Sequence, residues 1–301
     1  MSDAREATEP HDHDAVLSAP PLEALINGAL VRYTGATAAI HARLTALLRA
    51  FVVDAAEAKQ TLDGVERPVD LDIHLEPRTA EGQWRILVNG KFFTMAYDSA
   101  YLLPYLEWLA ISRAIELARD SVAFHAASLT REGRTAILIA KSGSGKTTLT
   151  VGLAGRGWLP FSDDLTIVDL ATQTISPFQR CFHADAYTRA VIAEAIPISA
   201  PDPELPDYVL PANWASPGCA PTAIVIVYRD AESPTTIRPL TRAEAAGALF
   251  TAAIRNGVPR SRVARLAADF ASTVNGCWEV NNSDLAETLS LIELTITDRP
   301  R

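Results

Sequence analysis

The sequence predicts an α/β protein, α+β overall, in which a phosphate-binding loop forms the centre and a smaller unit precedes it. Three observations carry that prediction. The stretch Thr135–Leu149, TAILIAKSGSGKTTL, passes from an apolar strand through a loop of small residues into a helical pattern. After it, short apolar runs of strand length recur between segments of helical periodicity. Before it, Asn89-Gly90 sits between two strand-like runs and marks a tight hairpin.

Ala136 to Ile139 is the strand of the central stretch, and residues 140–148 are the loop and the helix start. The glycines let backbone N–H groups converge on an anion, and the helix N-terminus adds partial positive charge. The phosphate-contacting set is Ala140, Lys141, Ser142, Gly143, Ser144, Gly145, Lys146, Thr147 and Thr148. Lys146 reaches the β- and γ-phosphates of a nucleotide, and the Thr147 hydroxyl reaches Mg²⁺. Ala140 replaces the usual first glycine, which is tolerable if its backbone stays extended.

Composition bounds the class. The chain has 301 residues, 48% hydrophobic and 21% charged, enough for a packed core and one or two domains. A formal charge of −9 argues against a nucleic-acid partner, which requires a basic surface. Cys181, Cys219 and Cys277 are far apart and odd in number, so a disulfide framework is not expected. No apolar run reaches the roughly 18 residues of a membrane span, so no membrane partner is expected. The polar, acidic N-terminus has no signal core, which points to the cytoplasm.

In chain order, residues 1–20 read as a disordered leader that includes His11 and His13. Residues 21–98 read as a small antiparallel sheet with one helix. Its strands are 28–33, 69–75, 84–88 and 91–96, and its helix is 37–56. His74 falls on the polar face of its strand and is read as solvent-facing. Residues 99–120 form a long bridging helix, whose start Pro104 would move towards Leu103. Its apolar stripe carries Tyr101, Tyr105 and Trp108 into a core or domain interface.

Residues 121–301 read as the phosphate-loop domain. A hairpin, 122–129 with 134–139, feeds the loop and a helix running to about residue 154. Strands follow at 159–161, 165–169 and 174–177, then a helix at 180–196. Residues 200–221 hold six prolines and read as a long loop, a candidate lid or acceptor groove. Strands at 223–228, 235–240 and 277–280 alternate with helices at 241–255, 259–271 and 284–295. Thr241 and Glu244 form a capping box, and Ser283 caps the last helix.

Two further features bear on chemistry. Asp163-Asp164 ends the strand after the loop helix, where one carboxylate can hold Mg²⁺ and the other accept a proton. Adjacent carboxylates repel, which raises one pKa unless a cation such as Lys146 offsets it. His125 lies on the strand that pairs with the one feeding the loop. A single His in an apolar run is ordinarily a core residue, but the hairpin brings this one near the phosphates.

His125-Ala126, the loop Ala140 to Thr148, Arg156-Gly157-Trp158 and Phe161-Ser162-Asp163-Asp164 resemble, in order and spacing, the core of the bacterial HPr kinase/phosphorylase family. The resemblance implies a PEP-carboxykinase/HPr kinase-type P-loop core of mixed sheet and helices. It implies that Lys146 binds phosphate, Thr147 binds the metal, Asp164 is the base and His125 supports the catalytic pair; of the acidic pair, Asp163 is then the carboxylate left to hold Mg²⁺ with Thr147. The family's Leu-Glu-Val-Arg-Gly signature is absent, and the corresponding stretch reads Pro177-Phe178-Gln179-Arg180-Cys181-Phe182. Over the whole chain, Leu106-Glu107-Trp108 and Pro239 to Ala245 are similar to HPr kinase-related proteins encoded beside peptide-modification genes.

What this implies is an ATP- and Mg²⁺-dependent kinase acting on a hydroxyl, in particular a serine of a small protein or peptide. The resemblance also leaves room for a homo-oligomer. Two alternatives stand: a nucleotide-binding module that recruits a peptide without phosphotransfer, and a small-molecule phosphotransferase.

Overall fold

The computed structural model describes residues 19–54, 67–78, 83–97, 99–195, 205 and 207–297. Most of the leader, with His11 and His13, lies outside the described residues, as do 200–204 and 206 of the proline-rich stretch. The chain folds as mixed α/β, with mixed sheets and with helices packed on them. Among the described residues no helix is long and apolar enough to cross a membrane.

The first sheet runs in the order β1-β2-β3-β4-β5, from Leu22–Ile26, Ala29–Thr34, Leu71–Pro77, Trp84–Val88 and Lys91–Ala96. It is mixed, which corrects the antiparallel expectation: β2 and β3 are parallel, with Val31 opposite Leu71. Parallel neighbours need a crossover, and α1 (Ala38–Leu47) lies between them in sequence. This helix is shorter than expected and ends before residue 48. β1 was not foreseen, because Leu22 to Ile26 carries no alternation and its Asn27-Gly28 turn is what makes it a hairpin arm. His74 is half-buried, with its Nδ1 2.8 Å from the Thr34 hydroxyl, rather than facing solvent freely.

α2 (Ser99–Leu117) crosses from this sheet to the rest of the molecule. It begins at Ser99 and carries Pro104 inside it, so the expected later start is corrected. Proline there removes one backbone bond, while Leu102, Leu103 and Leu106 beside it are buried at 0–2% exposure and hold the turn. Tyr101 and Trp108 are exposed at 74% and 57%, so of the three aromatic residues only Tyr105 packs against the interface. The interface is the leucine stripe. It belongs to a core cluster that joins Tyr33, Leu44 and Ile73 of the first unit to Ala123, Leu165, Phe178 and Cys181 of the second.

The second sheet has the order β10-β9-β6-β7-β13-β15-β14, with β8 also paired to β6. These strands are Ile175–Ser176, Leu165–Asp169, Ser121–Arg131, Arg134–Ala140, Ala223–Tyr228, Gly276–Asn281 and Thr236–Pro239, with β8 at Leu159–Ser162. β7, β13 and β15 are mutually parallel. Strands covered on both faces read as unbroken apolar runs, and AILIA and AIVIV are such runs. Ile137 and Ile224 face one core, shared with Leu249, Val263, Leu266 and Phe270 of α5 (Arg242–Ala252) and α6 (Arg260–Thr273). Leu138 and Val225 face the other, shared with Leu149, Leu153, Leu289 and Ile292 of α3 (Lys146–Gly155) and α7 (Leu285–Thr297).

Two local expectations change. Residues 180–196 are not one helix: β11 (Phe182–His183) pairs with β12 (Tyr208–Val209), and only Ala186–Ala195 is helical, as α4. The proline-rich stretch therefore supplies a strand to a small two-stranded sheet. The capping box at Thr241 and Glu244 is present. At α7, Asp284 rather than Ser283 accepts from the first turn, through Glu287 N–H at 2.8 Å, because the Ser283 hydroxyl is engaged with Thr235.

Gly35, between β2 and α1, has φ of 75°, and a Cβ there would lie 2.1 Å from the Leu75 carbonyl oxygen. Backbone cannot yield as a flexible side chain can. Gly35→Ala is therefore expected to destabilise the protein by more than about 2 kcal/mol, read as a lower midpoint in urea unfolding. An unchanged midpoint would show that the β2–β3 approach is looser than described.

Candidate active site

The loop 141–145 leaves the C-terminal end of β7, which lies between β6 and β13 in the middle of the sheet. Ala140 is still within β7, paired to Val227, so its extended backbone explains why alanine suffices there. Gly143 and Gly145 have φ of 81° and 87°, the left-handed region that turns the chain into α3. Gly145 is the N-cap and no side chain caps α3, so its first N–H groups have no side-chain acceptor. Such a helix start attracts anions. Asn282, one residue past β15, donates through Nδ2 to the Ser144 carbonyl at 3.0 Å and fixes the loop from the far side.

Strand register brings the expected residues together. β6 pairs with β7 from Ala126 onward, Ala126 lying opposite Ile139. Its earlier residues pair with β9, and His125 lies opposite Leu165, the residue after Asp164. His125 thus stands where β6 changes partners, between the loop and the acidic pair. Ser162 shapes the acidic turn by accepting from the N–H groups of Asp164 and Leu165 at 3.3 and 3.0 Å.

The side chains close a compact polar cluster. Lys146 Nζ lies 2.7 Å from Asp164 Oδ1 and 3.1 Å from His125 Nε2. His125 Nδ1 lies 3.3 Å from the same Asp164 oxygen. Burial lowers the His125 pKa, and the cations Lys146 and Arg180 lower it further against the pull of Asp164. A neutral imidazole accepts at Nε2 from Lys146, which leaves its proton on Nδ1, the nitrogen 3.3 Å from Asp164. Asp164 behaves differently. Burial alone would raise its pKa, but the Lys146 charge and hydrogen bond, His125 and Arg180 together hold it below the usual carboxylate range. It is ionised at neutral pH.

Asp163 lies behind the wall, 3% exposed. Its Oδ2 accepts from the Thr147 hydroxyl at 2.8 Å, and its buried Oδ1 has no partner. Burial, with repulsion from Asp164, raises its pKa to about 6, against the lowering effects of Arg180, Thr147 and Lys146. Because Thr147 gives its proton to Asp163, the hydroxyl lone pairs are free towards the cavity, the orientation a metal ligand needs. Among the described residues no group of three or more His, Cys, Asp or Glu side chains could hold a metal. Mg²⁺ does not require one: it is commonly held by one or two protein oxygens, substrate phosphates and water. Thr147 and the uncapped helix start fit that pattern, while Asp163 does not line the cavity and acts on it through the Thr147 hydroxyl.

The cavity over this cluster is about 400 Å³ and is lined by His125, Lys141, Lys146, Thr147, Thr148 and Asp164. His183, Asp185, Tyr187, Arg229, Asn282 and Ser283 also line it. All nine residues of the expected phosphate-contacting set lie at the loop. Ala140 and Ser144 do not line the cavity: one is still in the strand, and the other is 8% exposed.

Several residues escaped sequence reasoning. Asn282 follows a strand with no motif of its own. Arg180 reaches Asp164 Oδ2 at 3.7 Å, and Glu107 of α2 meets Arg180 at 3.4 Å. Residue spacing could not pair a helix residue with one that follows by more than seventy positions. Compared with known proteins, the chain matches no family model and no curated sequence.

The buried Asp163 makes a stability prediction. Its carboxyl holds its proton more tightly in the fold than in the unfolded chain, where about 4 is ordinary. Its contribution is thus full below pH about 4 and is lost as pH rises to about 6. Above that, the buried charge costs the fold on the order of 2–3 kcal/mol. Asp163→Asn is expected to raise the thermal midpoint of the magnesium-free protein at pH 8 and to leave it nearly unchanged at pH 4. A midpoint lowered equally at both would contradict a buried Asp163 whose charge is only partly offset by its neighbours.

Proposed function

We propose that the chain is an ATP- and Mg²⁺-dependent kinase that phosphorylates a hydroxyl, with a core of the PEP-carboxykinase/HPr kinase type. The observation that carries this reading is the 2.7 Å contact between Lys146 and Asp164 at the mouth of the loop. A pure phosphate binder needs the lysine and the loop. A carboxylate held ionised beside them is what proton removal from an attacking hydroxyl requires.

In this mechanism the N–H groups at the start of α3 and of the loop hold the α- and β-phosphates, and Lys146 turns from Asp164 to the γ-phosphate. Thr147, oriented by Asp163, would hold magnesium, which would supply positive charge against that of the phosphates. Asp164 then accepts the proton of the acceptor hydroxyl while that oxygen bonds to the γ-phosphorus and the bond from phosphorus to the β,γ-bridging oxygen breaks. The products are a phosphate ester and ADP. Neutral His125 presents its Nδ1 proton 3.3 Å from Asp164 Oδ1 and keeps the carboxylate oxygen aimed. The acceptor enters from the His183 and Tyr187 side, and a serine of a small protein or peptide is the substrate class proposed.

A second reading is a nucleotide-binding module without phosphotransfer. It is favoured by the absence, among the described residues, of any group of three His, Cys, Asp or Glu side chains able to hold a metal. Two variants separate the readings. Lys146→Ala is expected to weaken ATP binding by about 100-fold, since a charged hydrogen-bond partner is worth about 3 kcal/mol. Asp164→Asn should keep ATP binding within a few-fold and lower transfer of labelled phosphate by at least about 10³-fold. The kinase reading fails if wild-type protein with Mg-ATP turns over no ATP and labels no peptide encoded beside its gene.

A further inference from the structure

Beneath the acidic turn lies a buried ionic cluster that the proposed chemistry does not use. Arg180, just before β11, has a side chain only 17% exposed. Its NH1 is 3.7 Å from Asp164 Oδ2, and its NH2 is 3.4 Å from Glu107 Oε2. Glu107 comes from α2, with a side chain 4% exposed. Three carboxylates, Glu107, Asp163 and Asp164, therefore surround one guanidinium. Burial works against the charge on Arg180, and these carboxylates hold it protonated.

Both contacts are longer than the roughly 2.7–2.9 Å of a committed charged hydrogen bond. Arg180 Nε and Glu107 Oε1 are also buried without partners. The arginine is thus shared between the glutamate and the acidic pair instead of being locked to either. A buried arginine of this kind costs desolvation that a well-packed apolar residue would avoid. The hydrophobic core gains nothing from it, and its field falls on Asp163 and Asp164.

We infer that Arg180 is a built-in cation of the metal site, a positioning residue that supplies fixed positive charge to Asp163 and Asp164 and whose pull on them is moderated by Glu107 of α2. The inference rests on the proposed nucleotide- and magnesium-binding reading. When Lys146 turns to the γ-phosphate, Arg180 stays beneath the acidic pair as its fixed positive neighbour, so less positive charge is needed from magnesium. Glu107 tunes the effect by drawing Arg180 away from the pair. The first unit of the chain therefore contributes to the site through α2, not only through packing.

The test measures magnesium coupling in binding, without reference to turnover. The affinity of the full chain for a fluorescent ATP analogue is titrated with magnesium and again with EDTA, and the ratio of the two affinities is the coupling. Arg180→Met removes a positive charge near the metal and should raise the coupling at least about fivefold. Glu107→Gln leaves Arg180 to Asp163 and Asp164 and should lower it. Arg180→Lys keeps the charge and should stay within about twofold of wild type. Opposite signs for the two single variants are the signature, because a merely structural pair would lower affinity in both. Where Arg180→Met alone does not fold, the double variant Glu107→Gln/Arg180→Met removes the stranded carboxylate, and its coupling should still rise. Coupling that is unchanged or reduced in a folded variant lacking Arg180 overturns the inference alone. Absence of nucleotide binding by the wild type overturns the underlying reading, and this inference with it.

Discussion

The ion pair between Lys146 and Asp164 is the constraint on which the rest of the site depends. It links the two segments of greatest chemical content, the loop after β7 and the turn after β8, across 2.7 Å. Neither segment alone defines that distance. It is set by β6, which pairs with β7 through its second half and with β9 through its first. A slip of one residue in either pairing would send His125 to the opposite face of the sheet and remove the group that bridges lysine and carboxylate. The apolar alternation of β6 and β7, divided between two helix layers, is what forbids the slip.

The electrostatics follow from how these charges are buried. Two adjacent carboxylates would ordinarily repel strongly enough to neutralise one. Here they divide the task. Asp164 faces the cavity with lysine, histidine and arginine around it and stays ionised. Asp163 is turned inward to a threonine hydroxyl and holds a proton up to a pH of about 6. The same residue type therefore supplies an anion and an orienting acceptor, with environment deciding which. Beneath both, Arg180 and Glu107 tie the turn to the long helix, so the first sheet and the site share one framework of packing and charge.

Much of this was legible in the sequence, and what was not has identifiable causes. The loop, its strand and helix, the acidic turn and His125 were readable because their chemistry is local: glycines, a lysine-threonine pair and adjacent aspartates within short spans. The fully buried strands were readable as apolar runs. The parallel pairing of β2 and β3 was not, since residue alternation is the same for either direction. β11 and β12 were missed because they are two residues long and pair across the proline-rich stretch. Arg180 and Glu107 stood in stretches the sequence singled out, but nothing there paired them, because each is an ordinary charged residue until the fold buries them together. Asn282 likewise gains meaning only from the Ser144 carbonyl that it reaches.

The proposal that this site receives a nucleotide triphosphate with its terminal phosphate at Lys146 and Asp164 is most directly tested by phosphorus-31 NMR. Mg-ATP is observed before and after the protein is added in stoichiometric amount. The expected result is a shift and broadening of the β and γ resonances greater than that of the α resonance, followed by loss of the γ signal when a serine-containing acceptor is supplied. Resonances that superimpose on those of free Mg-ATP throughout would contradict it.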